Sequence, residues 1–208
     1  MAQDPYLLTP GPLTTSIATK SAMMHDWGSR DQAFIETTAR VRERLLLIAG
    51  ASDTHVCVPL QGSGTFVVEA TLGTLIPKDG KTLVVINGAY GDRMTEMLDI
   101  MGRDYETYKT AEDVPSDPAE IDAILSKNLT ITHVAAVYCE TTSGILNPIA
   151  EIAAVVARQR RSLLIDAMSA FGALPLKAAD VTFDALMASS NKCLEGVPGM
   201  GFAIVRKK

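Results

Sequence analysis

Apolar positions along this chain fall into two alternating rhythms. In RDQAFIETTARVRERLLLIAGAS (30–52), Phe34, Ile35, Thr38, Val41, Leu45 and Ile48 recur at the spacing of one helix face, and Gly50 is placed to end the helix. VCVPLQ (56–61) is a short strand-like run that enters glycines and then a helical pattern, GSGTFVVEATLGTLI (62–76). KTLVVING (81–88) repeats that order ahead of AYGDRMTEMLDIMG (89–102). ITHVAAVYCETTSG (131–144) repeats it ahead of PIAEIAAVVARQR (148–160), where Pro148 suits a first helical turn. SLLIDAMSAFG (162–172) supplies another strand and turn, and the strand-like runs at 162–166, 182–188 and 201–206 follow too closely for a long helix between each pair. Near-continuous apolar strands alternating with helices predict an α/β fold whose mainly parallel sheet is covered on both faces. TAEDVPSDPAE (110–120) is the one obvious polar surface loop, and no internal repeat is visible.

Composition narrows the function classes. With 208 residues, 47% hydrophobic and 21% charged, the chain is long enough for one well-buried domain. Its formal charge of -5 gives no electrostatic case for nucleic acid or anionic lipid. The expected partners are small molecules and further copies of the chain. Cys57, Cys139 and Cys193 lie far apart with no CxxC spacing, which predicts no metal site and a reducing, cytoplasmic setting. No run is long and apolar enough for a membrane span, and MAQDPYLLTPGPL does not read as a signal peptide.

In a parallel α/β sheet, ligands gather where the carboxyl ends of the strands leave crevices. The residues predicted there are Gln61 to Thr65, Asn87 to Tyr90, Glu140 to Thr142, Asp166, and Ser189 to Lys192. QGSGT (61–65) opens a helix with two glycines and two hydroxyls, which is either a plain tight turn or a phosphate cradle made of free N–H groups. GxxxxGK[ST] is absent, and Val67 stands where GxGxxG needs its third glycine, so nucleotide sites of those types are excluded. Asp166 closes the apolar strand SLLID and is either a cap or the partner of a cation, such as a protonated ring nitrogen. Lys192, between Asn191 and Cys193 in a glycine-edged stretch, is either a solvated loop charge or a reactive amine.

GSGT, AYGDR, CETTSG, LLIDAMSAFG and SSNKCLEGVPGMGF, in this order, resemble the class V aminotransferases among the fold-type I pyridoxal phosphate enzymes. The resemblance runs from Tyr6 to the last strand and implies the large domain of a fold-type I transferase with pyridoxal 5′-phosphate as cofactor. It implies that Ser63, Gly64 and Thr65 serve the phosphate, that Tyr90 stacks on the ring, and that Thr141 sits near the phenolic oxygen, with Thr142 as the substitute one register away. By the same resemblance Asp166 pairs with the ring nitrogen and Lys192 is the Schiff-base lysine, with Ser189 and Asn191 as neighbouring donors. LLTPGPL, MHDWGSRD and the lysine context are similar to the branch that passes the amino group of 2-aminoethylphosphonate to pyruvate, giving phosphonoacetaldehyde and L-alanine. The alternatives are alanine:glyoxylate or serine:pyruvate transamination, or a non-catalytic chain that binds only a phosphate or the cofactor. The resemblance further implies a homodimer, residues 1–30 as a substrate and interface segment, and residues 31–208 as the cofactor domain. The family continues into a small C-terminal domain carrying a substrate-binding arginine, which this 208-residue sequence is expected to lack, leaving Arg30 and Arg93 as the first candidates for the substrate anion among the residues given. His25, His55 and His133 receive no role, and Met23, Met24, Met94, Met97 and Met101 read as packing.

Overall fold

The computed structural model describes residues 5–207. Among the described residues seven strands form one sheet: β1 (His55–Gln61), β2 (Lys81–Ile86), β3 (Asp104–Lys109), β4 (Ile131–Val137), β5 (Ser162–Asp166), β6 (Ala185–Ser189) and β7 (Met200–Arg206), in the order β1-β7-β6-β5-β4-β2-β3. Strands β2 to β6 pair parallel, while β7 runs antiparallel to both β6 and β1. Because β7 reverses between them, β1 points the same way as the parallel strands. Its carboxyl end therefore joins theirs on one rim.

Successive strand residues face opposite sides, and both sides are apolar. Leu83, Val85, Val134, Ala136, Leu163, Ile165 and Leu186 pack into one core with residues of α2 (Gln32–Ile48), α5 (Pro118–Lys127) and α6 (Ile149–Arg158). Val84, Ile86, Ala135, Val137, Leu164, Ala185 and Met187 pack into the other with α3 (Gly64–Leu75) and α4 (Ala89–Ile100). Burial on both faces is why these strands read as unbroken apolar runs rather than as alternating ones. The short α1 (Ile17–Ser21) precedes α2, with Ser16 as its cap.

The sequence pattern misses three elements. Strand β3 is the polar sheet edge DYETYK, whose charges leave no hydrophobic signature. Helix α5 starts at Pro118, capped by the Asp117 side chain, so the polar loop ends before the predicted 120. Helix α1 lacks buried residues altogether. Pro148 stands at the N-cap of α6, just outside the helix. Helix α2 is where expected and Gly50 follows it at φ 57°, but of its apolar stripe only Leu45 is buried. Phe34, Ile35 and Ile48 face solvent, as do Leu8, Ile17, Met23 and Met24 upstream. Among the described residues, no helix is long and apolar enough to cross a membrane.

Two unassigned histidines sit inside the strands, at the rim opposite the expected site. His55 is 2% exposed, with Nδ1 2.7 Å from Thr54 Oγ1 and Nε2 3.1 Å from the Phe183 carbonyl oxygen. Desolvation by burial is the main cause that lowers the pKa of His55 and of His133. Folding thus favours their neutral forms. Their contribution is complete above the unfolded value of about 6.5 and is lost as pH falls from there through the lowered folded values. Thermal melting at a series of pH values should show a smaller acid-side loss between pH 7 and 5.5 for His133→Gln than for the wild type. An unchanged loss would assign the acid sensitivity to other groups.

Candidate active site

In-register pairing brings the strand ends together: Val137 of β4 is opposite Asp166 of β5, Asp166 is opposite Met187 of β6, and Ser189 is opposite Gly201 of β7. Over this rim lies a cavity of about 390 Å³, within the size range of small-molecule and cofactor sites. Ser63, Gly64, Thr65, Tyr90, Thr141, Asp166, Ser189, Asn191 and Lys192 all line it. Gln61 and Asn87 do not. Asn87 is buried behind the rim and exchanges amide hydrogen bonds of 3.1 and 3.0 Å with Asn147. Of the two threonines, Thr141 reaches the cavity, where its hydroxyl bonds that of Ser169, whereas the Thr142 hydroxyl donates to Glu140 Oε1 at 2.8 Å.

One wall is the start of α3. Ser63 caps the helix, its Oγ accepting from the Phe66 N–H at 3.2 Å. The first-turn N–H groups of Gly64 and Thr65 have no acceptor within a helix and carry the positive end of its dipole. Arg93 Nη1 donates to Thr65 Oγ1 at 3.2 Å, and its guanidinium carbon lies 4.8 Å from the Tyr90 ring centroid. Because Thr65 Oγ1 accepts from Arg93, its own proton is free to be donated elsewhere. Ser189 Oγ, also in the lining, is buried with no hydrogen-bond partner among the described residues. Buried polar atoms usually have partners, so this hydroxyl suits a ligand acceptor.

Asp166 is 3% exposed, and one of its oxygens, Oδ1, accepts from the Met168 N–H at 2.9 Å. Burial pushes its carboxyl up to about 6. The Met168 N–H opposes that rise, the Glu140 charge adds to it, and Arg93 and Lys192 pull against it. At neutral pH the group is a largely ionised, buried carboxylate without an ion-pair partner among the described residues, suited to a ligand cation. Lys192 lines the cavity next to the N-terminal segment. A Cβ on Gly11 would fall 2.4 Å from Lys192 Cδ and 2.5 Å from Nζ, so residue 11 must lack a side chain for the lysine to lie there. The Leu13 N–H donates to the Asn191 carbonyl at 3.3 Å, which ties that segment to the lysine loop.

Several lining residues were not expected. Met94 and Met97 belong to the core, but they also wall the cavity, which corrects their reading as packing alone; Met168 joins them. Met23 and Met24 are exposed rather than packed, and Met101 is partly buried against the core. Arg93, the last residue of the AYGDR motif, also lines the cavity, where the sequence offered it only as a candidate for the substrate anion. Pro198 and Gly199 reach the cavity from the start of β7, which sequence spacing could not show.

A family model described as class-V aminotransferase matches residues 15–208. The 2-aminoethylphosphonate–pyruvate transaminase of Pseudomonas putida is 57% identical over 207 residues, which is 100% of this chain and 56% of that protein. The protein of the same name from Pseudomonas fluorescens is 58% identical over 204 residues, 98% of this chain and 55% of its own length. The chain thus spans about half the length of the curated relatives it matches. The crystal structure of ureidoglycine–glyoxylate aminotransferase from Bacillus subtilis superposes with a TM-score of 0.91 at 23% identity, covering 100% of this chain and 53% of that one. At that identity the likeness is one of fold.

Two outcomes are expected from this geometry. Asp166→Asn keeps an acceptor for the Met168 N–H and removes the buried charge, so the cofactor-free protein should gain up to about 3 kcal/mol of stability at neutral pH. A raised carboxylate pKa penalises folding fully above the folded value of about 6 and not at all below the unfolded 3.8, so the gain should vanish as pH falls through that window. Thermal melts of both proteins across pH 3.5–7.5 measure it, and equal melting at pH 7.5 would mean the carboxylate already has a counter-charge. Gly11→Ala should leave the fold intact while raising the reactivity of Lys192 toward an amine-modifying reagent, read by peptide mapping. Unchanged labelling would show that the strap does not confine the lysine.

Proposed function

This chain belongs to the class-V aminotransferase family, and from that premise we propose that it transfers the amino group of 2-aminoethylphosphonate to pyruvate, giving phosphonoacetaldehyde and L-alanine. The observation that carries the reading is the convergence of an anion-binding helix start, a buried carboxylate and a lysine on one cavity. The substrates rest on the names of relatives 57–58% identical across this chain.

Pyridoxal 5′-phosphate fits the donor set. The phosphate is assigned to the start of α3, with Ser63, Gly64, the Thr65 hydroxyl and the unpartnered Ser189 Oγ as donors. The protonated ring nitrogen is assigned to Asp166, the ring face to Tyr90, the phenolic oxygen to Thr141, and the carbonyl carbon to Lys192 Nζ. Asn191 positions the lysine loop through its carbonyl bond to Leu13. When bound, the cofactor ring acts as an electron sink for charge developing at the substrate carbon.

The chain's own residues do the rest. Asp166, ionised and out of water, would favour a proton on the ring nitrogen, which a neutral side chain there would not do. Lys192 Nζ would tether the cofactor, and as a free amine it would move a proton at the substrate carbon. Apolar Val68, Met94 and Met97 keep one side of the cavity dry, so the charges there act in a low dielectric.

Residues 31–208 form the cofactor domain in this reading, and residues 1–30 a substrate and interface segment, of which 1–4 lie outside the described residues. The exposed Leu8, Ile17, Met24, Phe34 and Ile35 support a homodimer contact through this segment and α2. The free Cys57, Cys139 and Cys193 support a reducing, cytoplasmic setting.

With pyridoxal phosphate bound, borohydride reduction and peptide mapping should place the label on the peptide holding Lys192. A label on Lys177 or Lys207 would overturn the assignment. In a separate, unreduced sample, 2-aminoethylphosphonate should convert the bound aldehyde form to pyridoxamine phosphate, followed by absorbance. Faster conversion by L-alanine or L-serine would favour the glyoxylate- or serine-linked alternatives.

A further inference from the structure

Glu140 is 0% exposed, yet it stands behind the cavity rather than in its lining. Its Oε2 accepts from the Tyr90 N–H at 3.2 Å, and its Oε1 accepts from the Thr142 N–H at 3.1 Å and the Thr142 hydroxyl at 2.8 Å. The N-cap of helix α4 is Gly88, which offers no capping side chain, so a carboxylate from the loop after β4 satisfies an amide of the first turn. The room comes from Gly88, where a Cβ would lie 2.4 Å from Glu140 Cγ. The Glu140 main chain is itself pinned, its N–H donating to Ile145 at 2.9 Å and its carbonyl accepting from Gly144 at 2.7 Å.

We propose that Glu140 is a positioning residue of the cavity, holding the Tyr90 wall to the end of β4 while its charge sets how strongly Asp166 attracts a cation. Three donors meet two oxygens, so only an acceptor-only group satisfies them; a glutamine would turn an NH₂ toward at least one N–H or O–H. Among the charges acting on Asp166, Glu140 is the like charge and Arg93 and Lys192 are the opposing ones. One side chain therefore couples the place of the aromatic wall to the proton affinity of the buried carboxylate.

The inference uses the cofactor reading only in its ligand arm. In the cofactor-free protein, the Asp166 carboxyl titration is followed by carbon NMR for wild type, Glu140→Gln and Glu140→Asp. The midpoint, about 6 in the wild type, should fall in Glu140→Gln and stay near the wild-type value in Glu140→Asp, which keeps the charge. In the second arm, pyridoxamine 5′-phosphate, which cannot tether to Lys192, is titrated by equilibrium dialysis. Affinity should fall roughly tenfold or more in Glu140→Gln, as expected for losing a buried charge-assisted bond. An unchanged Asp166 midpoint in a folded Glu140→Gln protein would overturn the proposal, as would equal midpoint shifts in both variants, which would mark Glu140 as packing only. Should Glu140→Gln fail to fold, Gly88→Ala, which pushes the Glu140 side chain aside and keeps its charge, must still weaken pyridoxamine phosphate binding or the proposal falls. Failure of the wild type to bind pyridoxamine phosphate would count against the cofactor reading and leave the Asp166 titration to decide the role of Glu140.

Discussion

The register between β4, β5 and β6 is the constraint on which the site depends. A parallel ladder with Val137, Asp166 and Met187 side by side forces three loops to leave the sheet at one level. The β7 reversal adds β1 and the start of α3 to the same rim. A one-residue slip in β5 would turn Asp166 to the other face of the sheet. Strand register is held by apolar packing on both faces, so the placement of this charge is set by hydrophobic contacts that extend well beyond it.

The electrostatics follow from that placement. Two buried acids, Asp166 and Glu140, sit close enough to raise the proton affinity of Asp166, and Arg93 and Lys192 answer them only in part. Among the described residues, Glu140 is settled by three donors, whereas Asp166 has the Met168 N–H as its one hydrogen bond. The inequality is chemically useful, because a carboxylate already saturated by protein donors would have little to offer a ligand cation. Burying such a group costs stability in the free protein. Binding of a cation would return that cost as affinity.

The apolar surface is distributed unevenly. Both sheet faces are covered over β2, β4, β5 and β6, but the N-terminal segment and the outer face of α2 leave large apolar side chains in solvent. Gly11 and Leu13 of that same segment touch Lys192 and Asn191. A contact made on this surface would therefore bear directly on the lysine, so that assembly and chemistry would share a short piece of chain.

By itself the sequence determined the alternation of strands and helices, the rim on which Asp166 and Lys192 sit, and the motifs that mark the family. These are local or periodic signals: a buried parallel strand must be apolar throughout, and a strand-to-helix turn needs glycine and a capping hydroxyl. Polar β3 and the wholly unburied α1 escaped because neither carries an apolar stripe. Only the tertiary structure turned the Thr142 hydroxyl onto Glu140, brought Arg93 onto Thr65 and Tyr90, laid Gly11 over Lys192, and put Glu140 at the start of a helix fifty residues upstream. Each of these depends on side chains from elements distant in sequence meeting at one point, and spacing along the chain does not encode that geometry.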